Sequence, residues 1–371
     1  LFRQDEGRFV DVTQQAGVSG SELTYGLGLA IADVNEDGWP DFYLSNDYAV
    51  PDYLYVNNRD GTFTDRLAEC MGHNSHFSMG NDIADVNNDG RLDILTLDML
   101  PKDNRRQKLL MAPDNYAKFD LNLRSGFHYQ YMRNMLQLNN GNNTFSEIGQ
   151  LAGISNTDWS WAALLADYDN DGWKDLYITN GYLRDYTNLD FIKYMDDFVK
   201  SKGRLVREDV LDIISNMPAS DVVNYMFANR NGLHFSDATR AWGLHHRSNS
   251  NGAAYADLDN DGDLDLVVSN INQPAFLYRN EAQSRPDRRY LQVKLEGERG
   301  NTYGAGARVT LHAAGQTQTL YQAPWRGYLS TVSPVLHFGL GAVTIVDSLI
   351  VNWPSGKQQL LTDVAAGQVL T

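Results

Sequence analysis

At 371 residues the chain is long enough for a repeat scaffold plus one small further unit. Its 31 Lys and Arg against 47 Asp and Glu give a formal net charge of −16, which repels phosphate backbones, and its short basic clusters form no nucleic-acid-binding stripe. The single Cys70 excludes an internal disulfide, no Cys/His cluster spells zinc, and no apolar run approaches the roughly 18–20 residues of a membrane span.

From the N-terminus, Leu1-Phe2-Arg3-Gln4 and Gly7-Arg8-Phe9-Val10-Asp11 read as a hairpin, the last part of a repeat unit whose beginning is absent. The apolar run Leu27–Ala32 then enters an acidic nine-residue loop that ends at Asp41, and a second apolar run, Phe42–Ser45, leaves it. That loop recurs three times with one spelling. Oxygen side chains stand at positions one, three, five and nine: Asp33, Asn35, Asp37 and Asp41; Asp85, Asn87, Asp89 and Asp93; Asp167, Asp169, Asp171 and Asp175; Asp257, Asp259, Asp261 and Asp265. Glycine at position six lets the backbone turn, and position seven, held by Trp39, Arg91, Trp173 and Asp263, offers its carbonyl. A hard cation that takes six to eight oxygens at about 2.3–2.6 Å needs such a set, so each loop is predicted to hold calcium. An EF-hand would require a bidentate Glu at position twelve and flanking helices. Position twelve is instead Leu44, Thr96, Ile178 and Val268, and the flanks are rich in β-branched and aromatic residues, so the loops join strands.

A second signal follows each loop in step. Leu54–Asn58 with Gly61-Thr62-Phe63, Leu136–Asn140 with Thr144-Phe145, and Phe227–Arg230 with Gly232 and Phe235 each spell strand, polar turn, strand. The repeating unit is thus four strands with one metal loop, the pattern of a β-propeller blade. The later loops lie farther apart than the first two, and insertions at roughly Leu100–Arg133 and Tyr182–Asp221 account for the difference. In the second insertion Leu189, Ile192, Met195, Phe198 and Val199 fall at three- and four-residue steps, which predicts a helix whose apolar face packs on the blades. A partner-binding face is the sharper alternative. Beyond residue 282 the strands expected are Tyr290–Leu295, Ala307–Ala313, Gln318–Ala323, Val335–Phe338, Ser348–Asn352 and Gln358–Leu361.

Candidates for catalysis are few. His73, His76, His245 and His246 stand in loops without a nucleophile elbow or zinc helix, and read as ordinary loop histidines. Asp82 and Asp158 each precede an inner-strand run, where a carboxylate is either a paired structural keystone or a pocket acid; structure is the favoured reading. Trp39, Trp173 and Tyr48 are placed near the metal loops, where their rings would stack on a sugar or a partner side chain.

The acidic repeat resembles the FG-GAP/VCBS calcium-binding propellers. Gly304–Val309, Gly327–Ser330, His337–Gly341 and Val351–Lys357 are similar to the ASPIC/UnbV domain that follows such repeats in the cartilage acidic protein family and in bacterial surface proteins. Phe77–Asp85, Leu97–Pro101, Thr157–Ala162 and Asn251–Asp257 resemble the bacterial branch, of Bacteroidota type. The resemblance implies an all-β fold: a propeller of four-stranded blades with helical insertions over residues 1–282, then a small sandwich-like β-rich ASPIC/UnbV domain over 283–371. It implies seven blades, whereas four metal-bearing units are visible: either some blades lack the motif or they lie outside this chain, and the partial hairpin at Leu1 leads to the expectation of a fragment or a mature segment lacking neighbours. It further implies a calcium-stabilised protein that is extracellular or at the cell surface, outer-membrane-associated if bacterial, and that binds or scaffolds a glycan or protein partner. If the parent is secreted, its signal or lipid anchor was removed or lies upstream. The competing class is a polysaccharide-active hydrolase with a pocket at the propeller axis.

Overall fold

β-branched and aromatic runs on either side of each acidic loop pair across it as an antiparallel hairpin, and the register is the same every time. Ala32 faces Asp41, Ala84 faces Asp93, Ala166 faces Asp175 and Ala256 faces Asp265. The computed structural model describes residues 1–111 and 115–371. Unit one comprises strands Gly26–Ala32, Asp41–Asn46, Tyr53–Asn57 and Phe63–Asp65; unit two, Asn81–Ala84, Asp93–Thr96, Met135–Asn139 and Phe145–Glu147. Unit three comprises Ser160–Ala166, Asp175–Asn180, Tyr225–Asn229 and Phe235–Asp237. Unit four departs from the expected four strands: it has Ser250–Ala256, Asp265–Asn270 and Phe276–Tyr278 only. Within each sheet the strands are hydrogen-bonded in chain order. The N-terminal hairpin forms as read, Phe2–Asp5 against Arg8–Asp11.

Alternation along the strands explains how the units stack. In the apolar run of unit three, Leu164 points into a cluster shared with Ala253, Leu266 and Val268 of unit four, whereas Ala163 and Leu165 point into one shared with Leu95 and Leu136 of unit two. A third cluster joins Tyr43 and Leu54 to Ile83 and Ile94, across units one and two. Each sheet therefore buries its faces against its neighbours, and the first strands of consecutive units lie side by side. Among the described residues no sheet closes on itself.

The insertions are helical, with Asn104–Leu110, Tyr116–Arg124, Leu189–Lys202 and Arg207–Ser215. Asp103, Asn115 and Asn188 cap the first three by accepting an N–H of the first turn. The expectation that the long helix lays its apolar stripe on the blades is not met. Leu189, Ile192 and Val199 are exposed and Met195 and Phe198 half-buried, because the helix reaches inward only through Phe191. None of the helices among the described residues is long and apolar enough to cross a membrane.

The C-terminal strands make two sheets, Leu336–Gly341, Arg289–Val293 and Gln368–Leu370, and Gln316–Tyr321, Arg308–Ala313, Ile345–Asn352 and Gln358–Ala365. All six expected strands are present with shifted ends, and Gln368–Leu370, too short to show a period, is an addition. Leu291, Val293 and Phe338 of one sheet meet Val309, Leu311 and Leu349 of the other in a separate core. Between Tyr321 and Leu336 the chain leaves these sheets and runs along the first strands of units two to four. Gly327 bridges to Asn81, and the Ser333 N–H donates to the Tyr255 carbonyl at 3.2 Å.

Candidate metal loops

Each acidic loop is built from local hydrogen bonds that the sequence spacing dictates. Position four adopts a left-handed conformation, at φ 60°, 56°, 57° and 61° for Glu36, Asn88, Asn170 and Asn260, and glycine at position six follows at 86° to 96°. That bend folds the backbone N–H of positions five and six onto the carboxylate of position one, at 3.0 and 2.9 Å on Asp33 and 3.1 and 2.7 Å on Asp167. The position-nine carboxylate accepts the N–H of position two, at 3.0–3.1 Å in all four loops. Its other oxygen accepts the N–H of an asparagine just past the third strand's core: Asn57, Asn139, Asn229 or Asn280, at 2.8–2.9 Å.

Those asparagines also tie one unit to the one before. The amides of Asn139, Asn229 and Asn280 donate to the carbonyls of Val34, Val86 and Tyr168, which lie in the preceding unit's loop. Sequence reading placed Asn57, Asn139 and Asn229 only as turn residues and missed Asn280, because the fourth copy is spelled Arg279-Asn280 without a following hairpin. Loops two, three and four are linked directly as well. Asn88 donates to the Gly172 carbonyl at 2.8 Å, Asn170 donates to Asp263 at 2.7 Å, and the buried Lys174 ammonium donates to Asn88 at 3.2 Å.

In loops three and four the structure brings predicted carboxylate ligands together. Asp167, Asp169 and Asp175, and likewise Asp257, Asp259 and Asp261, each offer a carboxylate oxygen within 4.8 Å of the others. In every loop an arginine lies on a position-three or position-five carboxylate. Arg59 meets Asp37 at 3.1 Å, Arg91 meets Asp89, Arg288 meets Asp169 at 3.4 Å, and Arg279 meets Asp259 at 2.9 Å. One oxygen, Asp169 Oδ1, is buried with no hydrogen-bond partner, an arrangement that suits a cation. The donors are all oxygen, as a hard cation requires.

Burial dominates the electrostatics of these carboxyls. It pushes Asp41 up to about 7 and Asp93 up to about 8, and it holds Asp167 and Asp175 well above the usual range with help from their neighbouring carboxylates. A raised carboxyl pKa in the folded chain contributes stability that is complete below the unfolded value near ~4 and lost as pH rises through about 7–8. Metal-stripped protein is therefore expected to melt at a higher temperature near pH ~6 than near pH ~9, while the gain from added calcium, which needs the ionised forms, is larger at the higher pH. Melting curves in chelator that rise with pH over this window would contradict the assignment.

The C-terminal sheets sit on the loops, a relation nothing in the sequence signalled. Arg308 pairs with Glu36 at 2.5 Å and donates to the Gly90 carbonyl. His337 meets Asn170 at 2.6 Å, and Gln292 donates to Asp257 at 2.9 Å. At loop four the Tyr290 ring covers Gly262 so closely that a Cβ there would lie 1.8 Å from it. Trp39 remains exposed and Trp173 half-buried beside their loops. Tyr48 is not near a loop: it follows the Asp41–Asn46 strand, which carries the chain from loop one to the opposite end of the unit.

The other candidates are accounted for by pairing. Asp82 is buried and accepts from Arg326 at 3.2 and 3.3 Å and from the Leu165 N–H at 2.8 Å. Asp158 is held by Arg106, which also binds Asp185. His73 contacts Glu147 at 3.4 Å, burial lowers His76 to about 4, and His245 stacks on His246.

Residues 33–96, 123–178 and 210–268 match the FG-GAP-like repeat family, and residues 297–371 match the ASPIC and UnbV family. Cartilage acidic protein 1 of Homo sapiens is 25% identical over 366 residues, covering 97% of this chain and 45% of that protein. Its Xenopus tropicalis counterpart is 26% identical over 357 residues, covering 94% and 44%. The chain thus spans a little under half the length of these relatives. A crystal structure of the V. cholerae biofilm matrix protein Bap1 is similar at 10% identity over 90% of this chain and 48% of that one, with a TM-score of 0.28, too low to bear on the fold. The chain carries FG-GAP-like repeats followed by an ASPIC and UnbV domain, and is homologous to the cartilage acidic protein 1 family.

Proposed function

We propose that this chain is a calcium-stabilised binding scaffold of the extracellular space or cell surface, recognising a glycan or a protein partner. In this reading the four units are propeller blades within residues 1–282, and residues 283–371 form the appended sandwich-like domain. The observation that carries it is the set of four loops with one backbone geometry, in which oxygen donors converge and Asp169 Oδ1 is left without a partner. Asp33, Asn35, Asp37 and Asp41 would hold the ion in loop one, with their counterparts in the other three. When bound, calcium supplies positive charge that offsets the crowded carboxylates. The chain's own residues do the rest, fixing the loop backbone at positions one and nine and joining each unit to the next. No observation favours the hydrolase alternative, since Asp82 and Asp158 are both held by arginine.

Calorimetry on metal-stripped protein tests the reading. Loops three and four carry four ligand carboxylates, and loops one and two carry three with an Asn at position three. Calcium is expected to bind in at least two affinity classes, and Asn87→Asp to move loop two toward the tighter class. An equal response to magnesium, or no heat with calcium, would overturn the proposal.

A further inference from the structure

At the end of the units opposite the acidic loops, aromatic side chains from five separate segments are gathered. Trp159 stacks on Tyr182 with centroids 4.5 Å apart and lies 5.9 Å from Tyr186; Trp161 lies 4.9 Å from Tyr328, and Tyr25 meets Tyr48 edge-on at 5.5 Å. None of these seven rings is fully buried, and Tyr25, Tyr48 and Tyr186 are 55%, 58% and 45% exposed. A stacked aromatic group formed only for packing would close over its own faces.

Polar groups stand among the rings. The Asp47 backbone N–H donates to the Tyr25 carbonyl, and its carboxylate accepts the Tyr48 N–H at 2.7 Å. Burial first, then neighbouring tyrosines and the Asp47 carboxylate, raises the pKa of Tyr186 and Tyr328. The Trp159 indole nitrogen is buried and has no hydrogen-bond partner. Of the cations nearby, Arg106 is paired with Asp158 and Asp185 and Arg326 with Asp82, while Arg184 donates to the Met217 carbonyl at 2.9 Å. Tyr48 itself is held in a left-handed conformation at φ 71°, so its ring is fixed at the rim of the group.

We propose that this aromatic end is a binding site for uncharged carbohydrate, with sugar rings stacking on Tyr48 and Tyr186 and hydroxyls meeting Asp47. Ring faces suit the apolar faces of pyranoses, the Asp47 carboxylate suits their hydroxyls, and that carboxylate, in no ion pair among the described residues, disfavours sulfated or phosphorylated chains. The assignment rests on the binding-scaffold reading above and names its ligand class and its location.

The test is a titration of the full chain, in excess calcium, with neutral hexasaccharides of glucose, xylose and mannose and with heparin as the anionic control, read by tryptophan fluorescence. At least one neutral hexasaccharide is expected to bind and heparin is not. Tyr48→Asn, which keeps a residue tolerant of left-handed φ, and Tyr186→Ala are each expected to weaken binding about tenfold without moving the melting temperature. Phe9→Ala, an exposed ring in the N-terminal hairpin, is expected to change nothing. The proposal is overturned if no neutral hexasaccharide binds, if heparin binds better, or if both tyrosine variants bind as well as the parent. Sugar binding that survives in a chain indifferent to calcium would uphold this site and remove the calcium reading alone.

Discussion

EDTA is expected to lower the melting temperature by about 10 °C or more, and added calcium, but not magnesium, to restore it. Each loop gathers three or four carboxylates at its ligand positions, several of them buried, and without a cation they repel one another. A site held at about a hundredfold over its dissociation constant contributes about 2.7 kcal/mol, so four independent sites would add about 10 kcal/mol. The position of the loops enlarges the consequence. All four are in contact with the C-terminal sheets, through Arg308, His337, Gln292 and Tyr290, and three are bonded by an asparagine of the following unit. Loss of the ions should therefore loosen the junction between the repeats and the C-terminal sheets as well as the loops. Differential scanning calorimetry in chelator, in calcium and in magnesium checks this. No change in chelator, or full recovery in magnesium, would refute it.

The loops could be read from the sequence because the bonds that bend their backbone are local. Asp33 reaches only to Asp37 and Gly38, and Asp41 back to Val34, so spacing alone records the geometry. The strand pairs were legible for the same reason, through alternation and the turn between them. What was not legible depends on distant partners. Arg326 and Asp82 lie 244 residues apart, and neither neighbourhood carries a period that points to the other. The burial of the Arg308, His337 and Gln292 contacts against the loops is likewise a property of the assembled chain. The stripe on Leu189–Lys202 shows the limit of periodicity: it gave the helix correctly, since i, i+3 and i+4 spacing is local, but periodicity does not say what covers a face. Tyr48 was misplaced because nearness in sequence was taken for nearness in space. One extended strand, Asp41–Asn46, separates it from loop one.

Arg326→Met is expected to destabilise the fold by about 3–5 kcal/mol, because it leaves Asp82 buried without its cation. The two side chains are 8% and 2% exposed, and Asp82 keeps only the N–H donors of Leu165 and Ile83 once the guanidinium is gone. At roughly 2–4 °C per kcal/mol for a domain of this order, the melting temperature in saturating calcium should fall by about 6–20 °C. The pair also anchors the segment between Tyr321 and Leu336, whose Gly327 bridges to Asn81 and whose Tyr328 packs on Trp161. Breaking it should therefore expose that segment to protease before the sheets themselves. A companion change separates the charge from the contact. Asp82→Leu combined with Arg326→Met removes both charges and should recover most of the loss, since a buried pair replaced by apolar groups is often neutral or better. If Arg326→Met melts within about 2 °C of the parent, the segment is not part of the cooperative fold. If the double variant is no better than the single, the stabilisation comes from the N–H donors around Asp82 and from packing rather than from the ion pair.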